Sequence, residues 1–113
     1  MSRRSSAHAE RDAAQIFAAL GDSTRLMLVV KLSDGQPRSI VGLTADFHLS
    51  RQAVTKHLRA LEQAGIVRSN RIGRESRFSY IPEPVEKTRS YLAAVSEQWD
   101  DALSRLKTFV ENK

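Results

Sequence analysis

Between Ser50 and Arg77 the chain carries Arg51, Lys56, Arg59, Arg68, Arg71, Arg74 and Arg77 against only two acids, Glu62 and Glu75. The whole chain of 113 residues has a formal net charge of +5, and this one segment accounts for it, because the residues on either side nearly cancel. The chemistry that such residues can do is recognition of a nucleic-acid duplex. Arg and Lys neutralise phosphates, which fixes position without reading sequence. Arg and Gln make bidentate contacts to guanine and adenine edges, and Thr meets an acceptor or a thymine methyl. A positive charge confined to one stretch is the electrostatic footprint of a duplex-binding element.

The elements around that stretch must position it. Val54, Leu58 and Leu61 recur on one face of a helix that Ser50 can cap and Gly65 ends. Ser50, Arg51, Gln52, Thr55, Lys56 and Arg59 then fall on its outer faces, with His57 beside them. Arg51, Gln52, Thr55 and Lys56 lie in the first turns, where a recognition helix meets bases, while Ser50, His57 and Arg59 are better placed for phosphates. Beyond Gly65 the pattern changes to β-branched and aromatic residues alternating with polar ones, 66–72 and 76–81, with Gly73 between them. This predicts a β-hairpin with a basic tip. Arg71, Arg74 and Arg77 would follow the backbone or enter the minor groove, and Ser69 and Asn70 would add neutral contacts. A row of cations on a helix alone would equally suit a solvated face. The order of short helix, polar helix and basic hairpin is what favours a duplex.

The rest reads as scaffold. Residues 1–8 are expected to be a flexible basic tail, and residues 9–113 a single domain. Ala13, Ala14, Ile16, Phe17 and Leu20 predict a first helix over about 9–20, ended by Gly21. Asp22 or Ser23 caps a second helix, whose near-continuous apolar run (Leu26, Leu28, Val29, Val30, Leu32) marks the centre of the core. Ser39 opens a short third helix with Ile40, Leu43 and Phe47. After Pro82 and Pro84 comes a long last helix whose seam contains Val85, Leu92, Val95, Trp99, Leu103 or Ala102, Leu106 and Val110. So long a seam exceeds what a small core needs and is partly intermolecular. The dimer interface is therefore expected at Ile16, Phe17, Leu92, Val95, Trp99, Leu103, Leu106 and Val110. The fold class expected is mainly α with a small β-hairpin, in the order α-α-α-α-β-β-α.

Three segments resemble ArsR-type winged helix-turn-helix repressors. Leu20-Gly21-Asp22-Ser23-Thr24-Arg25-Leu26 is similar to the opening of their second helix, and Leu49-Ser50-Arg51-Gln52-Ala53-Val54-Thr55-Lys56-His57-Leu58 to their recognition helix. Ala64-Gly65-Ile66-Val67 with the basic hairpin resembles the entry to their wing. The likeness runs from about Ala13 to Phe109. It implies a homodimeric repressor with first and last helices at the interface, bound to an inverted repeat in a promoter and controlling its own operon.

The family's usual signals find no ligands here. The chain has no cysteine, which removes thiolate metal sites and thiol redox sensing. Counting back from Ser50, the family's Cys-x-Cys positions fall on Ser39 and Val41. The last helix has Glu97, Asp100 and Asp101 but no histidine, and carboxylates alone select poorly among borderline metals. His8, His48 and His57 are scattered over tail, turn and recognition helix. No metal and no cofactor are expected. Regulation is left to a small organic ligand near the dimer interface, with Tyr91 and Trp99 as candidate lining, or to protein concentration alone; an aromatic stripe on a dimer helix more often serves packing. An enzyme is not expected, because there is no Gly-rich phosphate loop and no recognisable nucleophile pair. No apolar run approaches a membrane span, so a cytoplasmic protein with double-stranded DNA and its own copy as partners is expected. The competing readings are a sequence-indifferent architectural DNA binder and a winged-helix protein-interaction module.

Overall fold

The structure, a computed structural model, describes residues 3–112, with side chains from Ala7 onward. Its elements are α1 (Arg3–Leu20), α2 (Ser23–Leu32), β1 (Arg38–Ser39), α3 (Ile40–Phe47), α4 (Arg51–Gln63), β2 (Val67–Ile72), β3 (Glu75–Tyr80) and α5 (Pro82–Glu111). Two boundaries depart from expectation. The first helix starts at Arg3 rather than near residue 9, so most of the presumed tail is helical; Met1 and Ser2 lie outside the described residues. Apolar periodicity misses this turn because Ala7 and Ala9 are small, yet Ala9 and Asp12 stand beside Pro84, Lys87 and Tyr91 of α5. The second departure is β1, which turns the expected hairpin into a three-stranded antiparallel sheet of order β1-β3-β2. Two residues are too few to show an alternating pattern. The β1 register sets Arg38 opposite Phe78 and Ser39 opposite Arg77.

Capping side chains punctuate the helices. Asp22, rather than Ser23, caps α2: its Oδ1 accepts the Arg25 backbone N–H at 3.0 Å. Arg25 turns back to donate from Nε to the Ala19 carbonyl (2.6 Å) and from its guanidinium to the Ala18 carbonyl (3.2 Å). One Asp-x-x-Arg unit therefore supplies acceptors to the start of α2 and donors to the end of α1. Ser39 Oγ accepts from Gly42 N–H, and Ser50 Oγ from Ala53 N–H, in the same way. At the far end of α4, Ile66 N–H bonds the Leu61 carbonyl and Gly65 N–H bonds that of Glu62, with Gly65 at φ +79°. This Schellman closure needs a left-handed residue, and it delivers the chain directly into β2.

Leu28, Leu32, Leu43, Val54, Leu58, Leu61, Ile66, Val67 and Phe78 are fully buried and form one core beneath α4 and the sheet. Ile16 belongs to it and is only 4% exposed. The expectation that Ile16 lies at a dimer interface is therefore corrected: one face of α1 is used by the protomer itself, while the adjacent Phe17 is exposed. The 30 residues of α5 span about 45 Å in a molecule whose longest dimension is 69 Å. Among described residues Thr88 is its one buried position, and Trp99, Leu103, Leu106 and Val110 are exposed.

Candidate nucleic-acid interface

The start of α4 presents the side chains of Arg51, Gln52 and Lys56 to solvent, and none of these side chains forms a hydrogen bond or ion pair with another described residue. Thr55 is half-buried and donates its hydroxyl hydrogen to the Arg51 carbonyl at 2.8 Å. His57, expected near phosphates, is placed otherwise. It is half-buried against the start of α2, with Nδ1 3.9 Å from Asp22 Oδ1 and no hydrogen-bond partner at that atom. The Arg25 backbone N–H, the strongest influence on Asp22, holds its carboxyl below the ordinary carboxylate range, and His57 adds to this.

Two more expected contacts are engaged inside the protein. Arg59 Nη1 donates to Glu62 Oε1 at 2.9 Å, with its guanidinium over the Phe78 ring, 5.9 Å from the centroid. Ser69 Oγ donates to the other oxygen, Oε2 of Glu62, at 2.7 Å. The Ser69 hydroxyl and then Arg59 hold the Glu62 carboxyl below its usual range. Glu75 similarly takes Arg77 Nε at 2.7 Å. The two acids of the basic segment thus neutralise two of its cations.

The hairpin divides the others between two faces. In the β2–β3 register Val67, Ser69 and Arg71 lie opposite Tyr80, Phe78 and Ser76, on the face turned to α4. Arg68, Asn70 and Ile72 lie opposite Ser79, Arg77 and Glu75 on the other. Gly73 and Arg74 form the two-residue tip, where Gly73 at φ +65° and a negative φ at Arg74 fit a type II′ turn. Arg71 Nε reaches the Gly73 carbonyl at 3.4 Å and stiffens this tip. Arg51, Arg71 and Arg74 meet around an open cleft of about 500 Å³ between the start of α3, the start of α4 and the wing. Glu75 is the acid at its edge, and it is already paired.

Residues 22–69, which include α2, α3, α4 and the first half of β2, match the profile of the bacterial regulatory protein, arsR family. The chain is 39% identical over 77 residues to the uncharacterized HTH-type transcriptional regulator YuzN of Bacillus subtilis, covering 63% of this chain and 84% of that protein. The chain belongs to the ArsR family.

Its fold agrees with solved structures of ArsR proteins. An ArsR-like transcriptional regulator from Rhodococcus sp. RHA1 superposes with a TM-score of 0.80 at 35% identity, over 88% of this chain and 93% of that one. At 21% identity, a homodimeric winged helix-turn-helix DNA-binding domain from Mycobacterium bovis, Mb0332, shares the fold with a TM-score of 0.66, over 87% and 89%. This ArsR-family chain is a transcriptional regulator with a DNA-binding winged helix, and not an enzyme. Ser39 is engaged as the cap of α3 and Val41 is exposed. Among the described residues no three His, Asp or Glu side chains cluster as metal ligands, and no single helix is long and apolar enough to cross a membrane.

Two features escape reading from the sequence. Arg68 is exposed on β2 without a partner, and only the strand register could assign it to the outer face. The bond between Glu62 and Ser69 is the other, since it joins residues seven apart across the α4–β2 turn.

Proposed function

We propose that this ArsR-family regulator is a homodimeric repressor that binds an inverted-repeat operator in the cytoplasm and controls its own gene. The observation that carries DNA recognition is the convergence of Arg51, Arg71 and Arg74 on one cleft, while the acid at its edge, Glu75, is already matched by Arg77. Gln52, Thr55 and Arg51 read bases in the major groove; Lys56, Arg68, Arg71 and Arg74 hold phosphates or the minor-groove edge, with Asn70 beside them. Two such surfaces on one dimer match an operator with two half-sites about one helical turn apart. The dimer forms through Phe17 of α1 and the exposed seam of α5, consistent with the homodimeric neighbour of the same fold.

The test is selection from a randomised duplex library, followed by anisotropy on the enriched site and on a random duplex. Enrichment of a palindromic site, bound about 10³-fold tighter than random sequence, supports a specific repressor. Equal, salt-labile binding to every duplex would instead indicate an architectural binder, and no binding a protein-interaction module. Loss of repression when the gene is deleted, read with a reporter on its own promoter, fixes the direction of control.

A specific observation favours a small organic ligand as the signal. A groove of about 650 Å³ opens between α1 and the start of α5, lined by Asp12, Ile16, Glu83, Lys87 and Tyr91. That volume is within the range of ligand sites. Tyr91 is among its lining residues, and Trp99, two turns further along α5, is not.

A further inference from the structure

Glu62 occupies the last turn of α4 and grips both halves of the recognition surface at once. One carboxylate oxygen takes Arg59 of the recognition helix at 2.9 Å; the other takes Ser69 of the wing at 2.7 Å. Arg59 is further confined by Phe78, whose ring it covers and whose side chain is fully buried in the core. Ser69 lies directly opposite Phe78 in the sheet, so the wing residue that Glu62 holds and the ring that Arg59 covers are neighbours across β2 and β3. An isolated surface ion pair contributes little. Here a partly buried carboxylate is held by a hydroxyl and a guanidinium that is itself stacked, which gives a defined geometry rather than a loose pair.

We infer that Glu62 is a positioning residue for operator recognition, one that withholds Arg59 from phosphate and fastens the wing to the recognition helix, and so raises the ratio of specific to non-specific binding. The inference rests on α4 and the wing being the DNA-binding surface. Its physical basis is that the two binding modes use a free cation differently. On random sequence any mobile arginine finds a phosphate and adds affinity uniformly. On the operator, base contacts fix the protein's position, and a wing that swings independently of α4 loses its place. A matched Arg59 and a fastened wing therefore favour the operator on both counts.

The variants are Glu62→Gln, Arg59→Ala, their double and Ser69→Ala, each compared with the unaltered chain on a random duplex and on the library-selected site across a salt series. Glu62→Gln is expected to steepen the logarithmic salt dependence on random duplex by about one per protomer, and to tighten that binding about threefold to tenfold near 0.1 M salt. Arg59→Ala alone leaves the slope where it was, and the double variant returns to it. Ser69→Ala lowers the specificity ratio without moving the slope. A Glu62→Gln slope equal to that of the unaltered chain would overturn the inference. So would an Arg59→Ala slope shallower by about one, since Arg59 would then already contact phosphate. Should Glu62→Gln fail to fold, Arg59→Ala and Ser69→Ala decide the matter alone. Failure of the unaltered chain to select any site strikes the proposed function instead, and the slopes on random duplex still report whether Glu62 restrains Arg59.

Discussion

The two ends of this molecule are incomplete in opposite ways. Around α4 and the wing the incomplete groups are cations: Arg51, Lys56, Arg68 and Arg74 have no protein partner among the described residues. Along the outer half of α5 they are apolar: Trp99, Leu103, Leu106 and Val110 face solvent. Each end defines the kind of partner that completes it. Free cations act over about a Debye length and are weakened by salt. An uncovered apolar seam acts only on contact, through loss of hydrated surface, and is not weakened that way. DNA affinity should therefore fall steeply with salt, while self-association should be nearly insensitive to it.

The largest effect is expected where the apolar end is given a charge. Trp99 is 65% exposed in the protomer, so Trp99→Asp should leave the helical content of the chain intact. In the proposed dimer it would bury an unpaired carboxylate and cost about 3 kcal/mol or more, over a hundredfold in dissociation constant. Sedimentation at micromolar concentration checks this: a surviving dimer would place the interface elsewhere. Next comes Arg51→Ala, expected to cost about 1–3 kcal/mol of operator affinity and to relax preference at one position of each half-site. Equal loss on every sequence would reassign Arg51 to a phosphate and sharpen the division within α4 instead.

Legibility in the sequence differed along the same line. The inward face of α4 (Val54, Leu58, Leu61) and the caps Ser39 and Ser50 were readable because periodicity and capping are local rules, and all stand as expected. Which cations are free is set partly by neighbours along the chain. Arg59 and Arg77 look like Arg51 and Arg74 as single residues, but Glu62 stands three residues along the same helix and Glu75 two residues back on the same strand, spacings that place each acid beside its arginine. Only the bond from Ser69 to Glu62 needs the turn at Gly65. The setting of His57 was not legible either: a position beside the polar face of a helix can be partly covered by another element, here the start of α2. On α1, Ile16 and Phe17 are consecutive apolar residues, and only packing shows that the first faces inward and the second outward.

A smaller effect is expected at the wing. Arg74 sits at the exposed turn, without a partner, so Arg74→Ala should weaken binding to any duplex and make the salt slope shallower by about one per protomer. Binding titrations at four or more salt concentrations read this directly. An unchanged slope would remove the wing tip from the backbone and shift the comparison towards α4 alone.

The smallest effect concerns the junction that ties the two ends together. Asp22 caps α2, faces His57 of α4, and is followed by Arg25, which holds the last carbonyls of α1. Its carboxyl is held below the ordinary value in the folded chain, chiefly by the Arg25 backbone N–H, so the ionised form is favoured by folding. The stabilisation is then fully present above the unfolded carboxylate range, and it is lost as pH falls through that range towards the lower folded value. Asp22→Asn keeps a capping oxygen but cannot titrate. Its melting temperature should sit slightly below that of the unaltered chain at pH 7, and the gap should close as the pH is lowered below about 4. Parallel melting curves across that range would show that Asp22 acts through its shape alone, leaving the α1–α2–α4 junction without a charge-dependent part.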